Sequence, residues 1–162
     1  MRERSSMLTR LATIADIPAL VSLINRAYRV EDFFVVGDRT DATEIRERLR
    51  LPNACFLVVA DAAGNLAATV FVEVRGERGF FALLAVDPEQ QGQGLGQTMV
   101  SAVEQHCREA GCRFLDLDTV DVRAELPAFY EKLGFKAVAT APFPKPHKLK
   151  RPAHMVLMSK PL

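Results

Sequence analysis

The sequence predicts a fold of the α+β class, a mixed α/β arrangement around a largely antiparallel sheet. Three β signals follow one another closely between Cys55 and Val86, with turn residues at each junction. After Pro88 the hydrophobic period changes to that of a helix. The full order is two helices, three strands, a helix, a strand, a helix and two strands. A doubly wound parallel sheet would alternate from the start.

Each element has its own signal. Leu8 and Leu11 form a short apolar entry. Leu20, Val21, Leu23, Ile24, Ala27 and Tyr28 then recur at the spacing of one buried helical stripe. Either Thr13 or Asp16 can cap this helix, and Pro18 favours Asp16 because proline suits the first turn. Phe33 to Thr40 reads as a loop around Gly37. Asp41 with Glu44 three residues on starts a second helix through Ile45 and Leu49.

Cys55 to Ala60, Leu66 to Val74 and Phe80 to Val86 are the three strands of an antiparallel meander. Leu95, Met99, Ala102, Val103, Cys107 and Ala110 lie on one helical face, which Gly111 ends. Phe114 to Val120 is a strand, and Leu126 to Leu133 a short helix capped by Gly134. Phe135 to Thr140 and His154 to Met158 close the sheet.

At 162 residues, one compact domain over 1–162 is expected. The chain is 49% hydrophobic and 25% charged, an ordinary globular balance that argues against a disordered chain. A net charge of +1 gives no field to gather nucleic acid or an anionic membrane, so neither is an expected partner. No stretch approaches the roughly 20 apolar residues of a membrane span, and MRERSS does not open a signal peptide. Cys55, Cys107 and Cys112 suit a reducing cytoplasm and read as structural thiols. Their spacing offers neither a redox pair nor a zinc site, so no metal is expected.

The chemistry lies in Gln91-Gly92-Gln93-Gly94-Leu95-Gly96-Gln97, between a strand and a helix. The first N–H groups of a helix are unpaired and carry partial positive charge. Glycines there let an anion come close, which makes a phosphate cradle. A Walker loop would need Gly-Lys-Ser/Thr. A dinucleotide fingerprint would space its glycines wider, although Asp116 lies about 20 residues on, where a ribose-binding acid belongs. A glycine-rich helix start with no ligand is the bland alternative.

The segment resembles the acetyl-CoA signature of the GNAT superfamily of N-acetyltransferases, Q/R-x-x-G-x-G/A, as Gln91, Gly94 and Gly96. Leu84-Ala85-Val86-Asp87-Pro88 is similar to that family's strand end. Phe129 to Phe135 is similar to its Y-x-x-x-G-F landmark, and Arg10 to Pro18 to its first strand and helix start. The resemblance implies a GNAT-like sheet of six to seven mostly antiparallel strands, splayed in the middle and flanked by about four helices. It implies an enzyme that transfers an acetyl group from acetyl-CoA to an amine by direct attack through a tetrahedral intermediate. The acceptor would be a small molecule or a peptide.

By the same resemblance, the N–H groups of Gly92, Gln93, Gly94, Leu95, Gly96 and Gln97, with Gln91, hold the pyrophosphate of coenzyme A. The backbone of Leu84, Ala85 and Val86 pairs with the pantetheine arm as an added strand, and Phe129 packs on that arm. An N–H near Ala85 or Val86 polarises the carbonyl. Tyr130 gives a proton to the departing thiolate; a packed, hydrogen-bonded tyrosine is the competing reading. Asp118 is placed as the general base through a water, with Glu73 a second candidate. A solvated strand carboxylate competes for both. His106 and His154 read as structural.

Two departures stand out. Arg123 occupies the position where many relatives carry an asparagine, and Leu126 to Phe129 replaces the usual helix start, so contacts from there are not carried over. Tyr28 to Asp41 and Ala141 to His154 would wall the acceptor side. The first offers Tyr28, Phe33, Phe34 and Arg39, and the second Phe143 with a basic cluster of Lys145, His147, Lys148, Lys150 and Arg151, which suits an anionic group on the acceptor, the 3′-phosphate of the cofactor, or plain solvation. A non-catalytic acyl-CoA-binding or sensing domain, an acyl group larger than acetyl, and a homodimer are all compatible with the sequence.

Overall fold

The computed structural model describes residues 8–162. The strands are β1 (Leu8–Leu11), β2 (Ala54–Ala60), β3 (Leu66–Arg75), β4 (Arg78–Val86), β5 (Phe114–Val120), β6 (Lys136–Pro142) and β7 (His154–Pro161). The helices are α1 (Ile17–Ala27), α2 (Ala42–Arg50), α3 (Leu95–Glu109) and α4 (Glu125–Lys132). All seven strands form one sheet in the order β1-β2-β3-β4-β5-β7-β6. Every pairing is antiparallel except β4 with β5.

The predicted meander is β2-β3-β4, and β1 adds a strand that the hydrophobic pattern alone marks only as an apolar entry. The last two strands do not pair in chain order. β7 inserts between β5 and β6, leaving β6 at the edge.

Each face of the sheet has its own core. On one face Leu20, Leu23 and Ile24 of α1 and Ile45 of α2 pack on Phe56, Val58 and Phe71. On the other Met99, Val100 and Val103 of α3 and Tyr130 of α4 pack on Phe81, Leu115, Leu117 and Phe135. Each fully buried Leu, Ile or Phe contributes about 1.5–3 kcal/mol, so both helical layers are tied firmly to the strands between them. In α3 the stripe includes Val100, while Ala110 falls past the helix end and is exposed.

The start of α1 resolves the choice of cap. Asp16 does not cap α1 through its side chain; its backbone is already helical there. Its carboxylate accepts from the Thr13 N–H at 2.8 Å and pairs with Arg10 at 2.8 Å. A 3-10 turn over Ile14–Asp16 therefore begins at Thr13 and runs into α1. In α2 the cap is as expected, with Asp41 accepting from the Glu44 N–H at 2.8 Å. Cys107 and Cys112 are buried, and burial pushes the Cys107 thiol up to about 12, away from reactive thiolate chemistry.

Candidate active site

The parallel pairing of β4 with β5 runs only from Arg78↔Phe114 to Phe81↔Leu117. Both strands continue, β4 to Val86 and β5 to Val120, without pairing to each other. The sheet is therefore splayed between Ala82–Val86 and Asp118–Val120. A gap in a sheet leaves strand-edge N–H and C=O groups open to a ligand.

A bulge shapes the β4 side of this gap. The register with β3 passes from Phe71↔Ala82 to Thr69↔Ala85, so β4 carries one extra residue. Leu83 takes it up in the left-handed region, with φ of 57°. For a leucine that conformation costs roughly 1–2 kcal/mol. The bulge reverses the alternation: Ala82 and Leu83 both face the α1 core, after which Leu84 and Val86 face the α3 core and Ala85 faces α1.

The glycine segment follows directly. Asp87 anchors its start, accepting from the Glu89 N–H at 2.9 Å and pairing with Arg26 at 2.9 Å. Gly92 and Gly94 have φ of 85° and 76°, which only glycine adopts cheaply. A Cβ on either would meet nothing within 4 Å, so both line open space. Gly94 is the N-cap of α3. Among the described residues, no main-chain N–H from Gln91 through Gln97 donates to the protein; the first that does is Thr98, to the Gly94 carbonyl at 3.0 Å, while the Gln93 side chain donates to Gln90 Oε1 at 3.1 Å. The site thus presents a row of free amides at the positive end of a 15-residue helix. This arrangement fits a diphosphate. Phe129 of α4 stands beside it, its ring 3.5 Å from a Cβ placed on Gly96.

A cavity of about 300 Å³ occupies the splay and runs outward beneath the α1–α2 loop. Tyr130 and Asp118 both line it, from opposite faces of the sheet. Tyr130 is 6% exposed and packs edge-on against Phe81 at 5.9 Å and Phe135 at 5.8 Å. Its hydroxyl has no hydrogen-bond partner among the described residues, unlike a tyrosine placed for packing. Burial pushes that hydroxyl above the ordinary phenol value, so it keeps its proton at neutral pH. Among the described residues Asp118 has no ion pair, and burial pushes its carboxyl up.

The sequence model of the acetyltransferase (GNAT) family matches residues 18–135. The chain belongs to the GNAT acetyltransferase family. Mycothiol acetyltransferase of Propionibacterium freudenreichii is 34% identical over 91 residues, covering 54% of this chain. The match spans 29% of that relative's length. Solved GNAT-fold structures agree along nearly the whole chain. The ribosomal-protein-S18-alanine N-acetyltransferase of Escherichia coli has a TM-score of 0.79 at 20% identity, covering 96% of this chain and 93% of its own. The ribosomal-protein-alanine N-acetyltransferase of Brucella melitensis has a TM-score of 0.76 at 24% identity, with coverages of 96% and 99%. The Salmonella typhimurium protein yncA, solved with its cofactor acetyl-CoA, has a TM-score of 0.74 at 22% identity, with coverages of 97% and 94%.

Within this GNAT fold some expected residues are placed differently. The Leu84 carbonyl is already occupied: it accepts from the Tyr28 hydroxyl at 3.1 Å. Tyr28 is half-buried at the end of α1, and its hydroxyl finds a partner at the strand edge. An added strand would have to use the remaining backbone of Leu84, Ala85 and Val86. Glu73, the second base candidate, sits opposite the cavity-lining Phe80 and pairs with Arg75 at 2.9 Å. His154 Nδ1 lies 3.1 Å from Asp121 at the start of β7.

Arg123, the departure from the family pattern, crosses the mouth of the splay. It pairs with Glu31 at 3.3 Å and Glu125 at 3.1 Å. Glu31 is 8% exposed and lines the cavity, and burial pushes its carboxyl up more than Arg123 draws it down. Tyr28 and Glu31 are site residues whose roles sequence spacing does not reveal. Their partners lie 56 and 92 residues away in the chain.

Proposed function

We propose that this GNAT protein transfers an acetyl group from acetyl-CoA to the amine of a small-molecule acceptor. The observation that carries the reading is the run of free amides from Gln91 to Gln97 beside the open gap between β4 and β5. The amides of Gly92, Gln93, Gly94, Leu95, Gly96 and Gln97 would hold the pyrophosphate of coenzyme A. The β4 edge from Leu84 to Val86 would align the pantetheine arm along the gap once the long contact from Gln91 Nε2 to the Val86 carbonyl, 3.5 Å, gives way, and Phe129 would pack on the arm. When bound, acetyl-CoA supplies an activated acyl group on a thioester.

The chain's own residues then manage protons. An amine is protonated near neutral pH and must lose a proton before it can attack. Asp118, through a water, is the group assigned to receive that proton. An N–H at Ala85 or Val86 polarises the reacting carbonyl. Tyr130 holds its proton at Oη and delivers it to the sulfur as the C–S bond breaks, which prevents loss of a free thiolate.

The test has two steps. Thermal shift with acetyl-CoA, free CoA and NAD should give stabilisation by the first two alone. A panel of amines, followed by thiol release, should then give acceptor-dependent turnover. Stabilisation by NAD without a CoA response would end the proposal. Binding of acetyl-CoA with no turnover on any amine would instead point to a sensing domain.

A further inference from the structure

The α1–α2 loop and the β6–β7 loop are bolted together over the outer end of the cavity. Val36 N–H donates to the Lys148 carbonyl at 3.0 Å, and Lys150 N–H donates to the Phe34 carbonyl at 2.7 Å. Val35 and Leu149 form a bridge between them. The side chains this roof carries into the cavity are therefore held by backbone hydrogen bonds, and do not sit on free loops.

Some of the cations at this end are paired and some are not. Arg29 and Arg48 have carboxylate partners in Asp38 and Glu44. Arg39, Lys145 and Lys148 line the same outer end, and none has a carboxylate within ion-pair distance among the described residues. Arg39 lies over the Tyr28 ring, 5.4 Å from its centroid. Arg48 lies over Phe71 at 4.7 Å, and both burial and the charge of Arg39 lower its pKa. Asp38, Asp41, Glu44 and Glu47 line this rim as well, so what marks a cationic pole is that Arg39, Lys145 and Lys148 form no ion pair with them. At the inner end stands Asp118, with no ion pair among the described residues. Most of the remaining wall is apolar, including Val35, Val36 and Phe143.

Tyr28 sets the spacing of the two poles. Its hydroxyl sits on the Leu84 carbonyl at the strand edge, and Arg39 covers its ring. The cationic pole is thus one tyrosine side chain from the place where the acyl group would be presented. The cavity, about 300 Å³ in all, must also take the acyl end of the thioester, which leaves room for a short acceptor.

We infer that the acceptor is a small bipolar molecule whose amine faces Asp118 and whose far end carries an anion, carboxylate or phosphate, held by Arg39, Lys145 and Lys148. This rests on the acetyl-transfer reading and gives it a substrate class. A guanidinium suits either anion because its fork of N–H donors matches two oxygens at once.

Matched acceptors test the inference: β-alanine against β-alanine amide, 4-aminobutyrate against its amide, and aminoethyl phosphate against ethanolamine. Thiol release should give kcat/KM at least tenfold higher for the anionic member of a pair, and the preferred pair tells carboxylate from phosphate. Arg39→Gln should bring that ratio close to one. Lys145→Gln with Lys148→Gln should lower it in part, which keeps the test decisive if Arg39→Gln folds poorly. Equal rates for acid and amide in every pair, or a ratio unchanged in both variants, would overturn the inference. Equilibrium dialysis of the same pairs with free CoA present reads the cationic pole without turnover. Tighter retention of the anionic members there supports it even if no thiol is released, an outcome that would sink the transferase reading alone. Equal retention overturns it.

Discussion

Removing one oxygen from Tyr130 separates chemistry from folding in this protein. In Tyr130→Phe the ring keeps its edge contacts with Phe81, Phe129 and Phe135 at 5.9, 5.1 and 5.8 Å. The lost hydroxyl has no hydrogen-bond partner among the described residues, so no buried group is orphaned. Stability should therefore change by no more than about 0.5 kcal/mol. Loss of a positioned proton donor lowers the rate by roughly 10²–10⁴, or about 2.7–5.5 kcal/mol at 1.36 kcal/mol per decade. Because burial holds the hydroxyl above the ordinary phenol value, the wild-type rate should show no loss of Tyr130's proton below about pH 10. The assay is thiol release at saturating acceptor, paired with a melting curve. An unchanged kcat, or a fall in kcat matched by a collapse in melting temperature, would refute the assignment of Tyr130 as the acid.

Three further outcomes are expected. Gly94→Ala places a side chain at φ of 76°, which should cost about 1–2 kcal/mol in stability and weaken acetyl-CoA binding, both readable by calorimetry. Thr119 Oγ1 is buried without a hydrogen-bond partner, so Thr119→Val should stabilise the protein by about 1–3 kcal/mol in denaturant unfolding; destabilisation would mean that the hydroxyl is satisfied. The hydrogen bonds from Arg10, the largest cause, hold the Asp16 carboxyl at about 2. A lowered acid contributes stability that is full above its unfolded value near 4 and is lost as pH falls through 2. Arg10 is 44% exposed, so the acid-side loss should be at most about 1 kcal/mol after screening, and Arg10→Gln should flatten it.

Local signals made much of this molecule legible. The turn at Asp61 to Asn65, the change of period at Pro88 and the glycines at 92, 94 and 96 each depend on neighbours in the chain, and each appears where its residues imply. What stayed hidden is long-range. Nothing in Phe80-Phe81-Ala82-Leu83-Leu84-Ala85-Val86 marks Leu83 as the bulged residue, because the strain there is offset by packing against α1. The insertion of β7 between β5 and β6 is a matter of topology, which apolar patterns do not encode. Arg123 reads as a lost cofactor contact until the fold brings Glu31 to it. The basic residues late in the chain read as one cluster, yet the fold divides them. Lys145 and Lys148 turn to the cavity, Lys150 bonds the Asp32 carbonyl at 2.6 Å, and Arg151 lies over Phe33 at 5.5 Å.

The sharpest test of the whole account is a titration of isotope-labelled protein with acetyl-CoA, following backbone amide resonances. Peptide hydrogens of residues 92–97 should move most and saturate together, because they meet the diphosphate directly. If those resonances stay still while others respond, or if NAD moves them and acetyl-CoA does not, the cradle at the start of α3 is not a coenzyme A site.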